Sequence, residues 1–171
     1  MQEIDFRTVL LPLKDQLFRL ALRITLDRAE AEDIVQDTLL RVWERRTELA
    51  GVVNSLEAYC LTVCRNLALD RKERKEAQNL SLEEGDRDAV DNAFSPQEQI
   101  ERDERLQRVH RLFNQLPERQ RSIIQLRDIE GKSYKEIAMV LGLTEDVVKV
   151  TLFRARQRIR QQYEKIDAYG L

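Results

Sequence analysis

Residues 133–160 read SYKEIAMVLGLTEDVVKVTLFRARQRIR. Ser133 stands at the N-cap position of a short helix, with Glu136 three residues on completing a capping box. Gly142 and Leu143 then supply a tight turn, and Thr144 caps a second, longer helix. A helix, a three-residue turn containing Gly, and a second helix bearing cations form the pattern of a helix-turn-helix, whose second helix lies in the major groove of DNA. At about 100° per residue, Val148, Leu152, Ala155 and Ile159 fall in one narrow arc and form the buried seam. Lys149, Arg156 and Arg160 lie on one flank, and Arg154 and Arg158 on the other. Lys149–Arg160 carries five basic residues and no acid, and flanking cations suit two phosphate strands bordering a groove. Near the helix start Asp146, Val147, Val150, Thr151 and Arg154 face outward and are the candidate base readers. An outward Val147 and Val150 gain nothing from water, whereas a thymine methyl would reward them.

Upstream of this motif, SPQE at residues 95–98 opens a helix, with Ser95 as cap, Pro96 at its first position and Glu98 in the box. Leu106, Val109, Phe113 and Leu116 follow at steps of 3, 4 and 3, and Pro117 stops the helix. The next helix begins at Glu118 and ends near Glu130 and Gly131. It buries Ile123, Ile124 and Leu126, although together they offer more apolar surface than one small core is expected to need. Residues 96–171 thus read as one helical domain. His110 reads as a partly buried helix residue.

Residues 1–76 read as another. Val9, Leu10, Leu13, Leu17, Leu20, Ala21 and Ile24 recur at helical spacing, with Pro12 marking a start or kink. Asp27 caps a second helix whose apolar stripe is Ile34, Val35, Thr38, Leu39, Val42 and Trp43. Glu30, Asp33, Asp37, Arg41 and Glu44 form an opposed polar row. A third helix spans about Ser55 to Glu76, with Leu56, Tyr59, Cys60, Val63 and Leu67 inward and Cys64 a further candidate for the inside. Its tail, RNLALDRKERK, is rich in cations. Between the domains, residues 77–95 are polar, acidic and too poor in apolar surface to fold alone, which predicts a flexible linker. The predicted fold is all-α: two small helical domains joined by a flexible acidic linker, the C-terminal one a helix-turn-helix.

Composition agrees. Among 171 residues, 5 Gly and 3 Pro provide few turns for a sandwich or barrel. The formal net charge of −2, taken whole, argues against a nucleic-acid binder, but its distribution reverses that inference. Residues 1–76 hold 13 basic and 14 acidic side chains, 77–103 hold 2 and 8, and 104–171 hold 14 and 9. The C-terminal domain is therefore cationic. Two Cys and one His cannot furnish a structural zinc site, and the carboxylates of Glu30, Asp33 and Asp37 all lie on one helix, so neither metal nor cofactor is expected, and no enzymatic activity. Cys60 and Cys64, four apart on a helix, read as small buried residues of a reducing compartment. The longest apolar stretch, Val9–Leu13, is too short to span a bilayer, and Met1–Asp5 lacks the basic start of a secretory signal, so the expected location is the cytoplasm.

Three segments in order, AEDIVQDTLLRVW (31–43), YCLTVCRNLALDRKERK (59–75) and LPERQRSIIQLRDIEGKSYKEIAMVLGLTEDVVKVTLFRARQRI (116–159), resemble the bacterial sigma factors of the extracytoplasmic-function (ECF) group, which keep only regions 2 and 4 of the larger sigma-70 family. The resemblance implies a subunit that binds core RNA polymerase and directs promoter-specific initiation without catalysing bond chemistry. It implies that Asp33, Gln36 and Asp37 contact the clamp coiled coil of the polymerase's largest subunit, and that region 4 docks on the flap of the second-largest. The loop Leu49–Ser55 and the helix after it would bind and melt the −10 element, through Asn54, Ser55, Arg65, Asn66, Arg71, Lys72 and Arg74. The last helix would read the −35 element, through Thr144, Asp146, Val147, Lys149, Val150, Thr151, Arg154, Arg156 and Arg158. Where many members carry a small residue and then Arg before LxRAR, this chain has Val150 and Thr151, which implies an altered −35 preference. The group commonly has an anti-sigma factor, a further expected partner. The competing reading is a stand-alone dimeric helix-turn-helix regulator, which needs a ligand pocket or dimer seam in residues 1–76.

Overall fold

The structure, a computed structural model, describes residues 4–50, 55–82 and 104–168. These are helical, with no strand among the described residues, and they fall into two compact units. The capping box expected at Ser95–Glu98, the residues of the expected linker beyond Leu82, and Asn54 lie outside the described residues.

The N-terminal unit opens with a π-turn, Phe6–Leu10, whose cap Asp5 accepts a hydrogen bond from the Arg7 N–H at 3.0 Å. A 3-10 turn, Leu11–Leu13, holds Pro12 where a missing N–H costs nothing, and α1, Lys14–Thr25, follows. Leu26 ends α1 in the left-handed region at φ 58°, its N–H bonded to Leu22 O at 2.8 Å. A left-handed non-glycine residue costs roughly 1–2 kcal/mol, which the packing on either side must offset. Helix α2, Arg28–Glu44, is capped by Asp27, which accepts from the Glu30 N–H at 3.1 Å. A single turn, α3, Arg46–Leu49, leads towards α4, Leu56–Leu82, where Ser55 Oγ accepts from the Ala58 N–H at 3.1 Å.

Helices α1, α2 and α4 pack pairwise around one core. Leu17, Leu20, Ala21 and Ile24 meet Ala31, Ile34, Val35, Thr38, Leu39 and Val42, and α4 contributes Ala58, Cys60, Leu61, Cys64 and Ala68. Thr38, fully buried, satisfies its hydroxyl by donating to Ile34 O at 2.7 Å. The face of α4 is the expected one only in part: both cysteines are inside. Val63 and Leu67 are only half-buried, whereas Cys64 is wholly inside, its thiol 3.4 Å from Leu17 O. With small side chains on this seam, the Cys64 thiol reaches the backbone of α1. The helix also runs past Glu76 to Leu82. Burial pushes both thiols up to about 12, so they are inert. Trp43 and Tyr59, expected in the core, are half-buried. Trp43 packs edge-on against Phe6, and Tyr59 accepts a hydrogen bond from Arg45 at 3.0 Å.

The C-terminal unit comprises α5, Glu104–Gln115; α6, Glu118–Ile124; a π-turn, Gln125–Ile129; α7, Tyr134–Leu141; and α8, Glu145–Ala168. Ile123, Ile124 and Leu126 are all buried, as their spacing predicts, so none is left over at the surface. Arg121, also buried, donates to the carbonyls of Leu116 (3.0 Å) and Asn114 (3.4 Å), which satisfies the end of α5. Leu112, Phe113 and Leu116 are inside as well, while Leu106 is exposed.

Candidate functional site

The helix-turn-helix forms as its caps specify. Ser133 Oγ accepts from the Glu136 N–H at 3.1 Å and lies 3.3 Å from the Glu136 carboxylate. Gly142 takes φ 67°, a conformation that a side chain would strain, and Leu143 N–H returns to Ala138 O at 3.0 Å. Thr144 Oγ1 accepts from the Val147 N–H at 3.2 Å. Val148, Leu152 and Ala155 are buried and Ile159 is half-buried, so the opposite face of α8 is turned to solvent.

On that face Asp146, Val147, Lys149, Val150, Arg154 and Arg158 are exposed. Thr151 is half-exposed and its hydroxyl donates to Val147 O at 2.7 Å, so it reaches a ligand chiefly through its methyl and an oxygen lone pair. Arg156 is engaged. Its guanidinium grips Asp128 of the π-turn with two nitrogens, Nε to Oδ2 at 3.0 Å and Nη2 to Oδ1, and this pairing raises its pKa further. Two further features were missed in the sequence reading. Phe153 is 66% exposed beside Val150, at 48%, and extends the apolar strip along the outer face. Arg127 and Lys149 both lie over the Tyr134 ring, 4.2 and 5.4 Å from its centroid, so the π-turn brings another cation to the start of α8. The helical projection places Phe153 outward and could have shown it; the π-turn leaves no such trace.

In the N-terminal unit, Asp33 and Gln36 are exposed on the outer face of α2, and Asp37 is half-buried on its flank. Leu40, one turn beyond Gln36, is 55% exposed and adds an apolar contact to that face. An apolar residue at a solvent position was the available signal. Along α4, Asn66 and Arg74 are exposed, Arg65 is half-buried, and Lys72 pairs with Glu76 at 3.3 Å. An open groove of about 390 Å³ is lined by Arg41, Val63, Asn66, Leu67, Leu69 and Asp70. The half-buried apolar residues of α4 thus floor a surface groove instead of completing the core.

Arg71 faces α2. Its Nη1 lies 2.8 Å from Glu30, and its Nη2 lies 2.5 Å from Asp33 and 3.0 Å from Asp37. The hydrogen bond it donates to Glu30, then the one it donates to Asp33, raise its pKa above the usual arginine value. One turn on, Lys75 meets Asp27 at 2.8 Å and, against partial desolvation, holds that carboxyl below the usual range. Cys64, Ala68, Arg71 and Lys75 follow at steps of 4, 3 and 4, so the ion pairs continue the buried seam of α4 beyond the end of the core. Two sets of residues expected at separate surfaces, Asp33 and Asp37 on one side and Arg71 on the other, form one cluster. No group of His, Cys, Asp or Glu capable of holding a metal ion occurs among the described residues, and no described helix is long and apolar enough to cross a membrane.

Comparison with known proteins matches both units to one family. The family model for Sigma-70 region 2 covers residues 11–78, and that for Sigma-70, region 4 covers residues 106–159. The ECF RNA polymerase sigma factor SigL of Mycobacterium tuberculosis (strain H37Rv) is 32% identical over 150 residues, 88% of this chain and 84% of that protein. The RNA polymerase sigma-H factor of Pseudomonas aeruginosa is 28% identical over 162 residues, 90% of this chain and 83% of that protein. Among solved structures, the sigma factor RpoE in complex with the anti-sigma factor NepR from Bartonella quintana aligns with a TM-score of 0.70 at 25% identity, covering 94% of this chain and 97% of that one. CnrH, solved with the cytosolic domain of CnrY, shares the fold, with a TM-score of 0.69 at 21% identity and coverage of 94% and 88%. With both regions present in order and relatives matched over most of their length, the chain belongs to the ECF group of the sigma-70 family, the alternative sigma factors that direct transcription initiation.

Proposed function

We propose that this sigma factor docks on core RNA polymerase through the outer face of α2, engages the −10 element along α4 and the loop before it, and reads the −35 element with α8. The observation that carries the polymerase contact is the composition of one helix face: Asp33, Gln36 and Leu40 stand exposed while the opposite stripe of α2 is wholly buried. Carboxylates beside an apolar anchor suit a cationic partner surface. The clamp coiled coil of the largest subunit is the partner proposed for this face, and the flap of the second-largest for residues 96–171. For promoter DNA, the support is the cation-bordered apolar strip of Val147, Val150 and Phe153. It favours thymine methyls over guanine edges and agrees with the absence of Arg at position 151.

An anti-sigma factor is a further partner, by analogy with RpoE. As a subunit that binds and orients, the chain needs no catalytic group or cofactor of its own, and it works where the polymerase does, in the cytoplasm. Residues 1–76 and 96–171 act as separate DNA-contacting domains, with the acidic segment 77–95 as tether.

Competition for core polymerase tests the α2 contact. The double variant Gln36→Ala, Leu40→Ala alters exposed side chains only, and it should weaken core binding about tenfold, roughly 1.4 kcal/mol. Unchanged affinity would remove α2 from the interface.

A further inference from the structure

Arg71 is the place where the two proposed surfaces of the N-terminal unit meet. It lies in the cation-rich stretch of α4 whose other members, Arg74 and Lys72, are exposed or half-buried. Yet its guanidinium is held by Glu30, Asp33 and Asp37 of α2. Three carboxylates against one guanidinium leave the cluster negative, so it still attracts a cation. The cluster is also wet: the Arg71 side chain is 25% exposed, and those of Glu30, Asp33 and Asp37 are 38%, 55% and 40% exposed. Exchanging partners at such a site uncovers no buried charge, unlike the breaking of an enclosed ion pair.

We propose that Arg71 is a shared cation: the acid row holds it in the free chain, and a cationic side chain that takes over Asp33 and Asp37, the two carboxylates on its Nη2, leaves it held by Glu30 alone and frees that nitrogen for the phosphates of a nucleic-acid strand along α4. The inference rests on the reading of α2 as the polymerase-binding face. It adds that polymerase and DNA bind this unit cooperatively, because each removes one side of the same ion pair. By linkage, DNA strengthens polymerase binding by the same factor.

The test is a double-mutant cycle on the full chain, read as affinity for a fluorescein-labelled single-stranded oligothymidine at fixed salt. The variant Asp33→Asn, Asp37→Asn should bind about tenfold more tightly than the parent chain, whereas in the Arg71→Ala background the same pair of changes should add only about twofold, the general effect of removing negative charge. An equal factor in both backgrounds overturns the proposal. Thermal melting checks the fold. Should Arg71→Ala be unfolded, Arg71→Lys, which keeps the charge but loses the fork, should bind the oligonucleotide more tightly than the parent chain and respond less to neutralisation of the acids. A parental response there overturns the proposal equally. Core polymerase capture by the unaltered chain is measured separately: a chain that fails it removes the polymerase reading, while the cycle still reports on Arg71.

Discussion

Asp27 does two jobs with one carboxylate: one oxygen caps α2 and the other meets Lys75 at 2.8 Å. The substitution Asp27→Asn keeps the cap and removes the ion pair, so at pH 7 it should cost about 0.5–1 kcal/mol in urea unfolding, the range of a part-exposed pair. The sign with pH follows from the lowered carboxyl. Stability from the pair is complete above the ordinary aspartate value of about 3.9 and fades as pH falls through the lower folded value. The difference between variant and parent should therefore shrink at pH 3; a constant difference would show that Asp27 is not held by Lys75. Single residues were readable in sequence wherever a local rule applied: the caps Asp27, Ser133 and Thr144 and the turn at Gly142 stand where spacing put them. The partners of Arg71 and Arg156 were not readable, because a partner 28 to 41 positions away along the chain depends on how helices are laid side by side. Only the seam running from Cys64 to Lys75 hinted at the former.

At the scale of elements, the helix-turn-helix depends on a seam of few residues. Val148, Leu152 and Ala155 attach α8 to its unit, and α8 packs against α6 and α5. Truncating Leu152 to Ala removes a side chain that is 1% exposed, with an expected loss of 2–5 kcal/mol in stability by chemical denaturation. A loss below about 1 kcal/mol would mean that α8 is not seated as described. Periodicity identified α8 well because it is regular, long and one-sided. It was half right for α4, where Cys60 and Cys64 are inside as expected but the larger Val63 and Leu67 are half-buried and Ala68 takes an inner place. Small residues permit close helix approach, which a ranking by apolar size does not register. The helix expected from Glu118 to about Glu130 forms with its three apolar residues inside, although its last turn is a π-turn that periodicity does not reveal.

Across the whole molecule, the net charge of −2 conceals an acidic segment and a cationic C-terminal domain. Several of the cations are engaged internally: Arg71 and Lys75 with α2, Arg156 with Asp128. The free chain accordingly has fewer cations to offer phosphates than its sequence suggests, and two weak DNA contacts gain strength when one scaffold holds both. Promoter selection by this chain on core polymerase is tested by reconstituting the two and selecting transcribed templates from a random promoter library. Transcripts should appear only when the chain is present, from templates sharing two spaced elements, the upstream one rich in A·T pairs. Core binding without template-selective transcripts, or tight and specific duplex binding by a stable dimer of the chain alone, would contradict it.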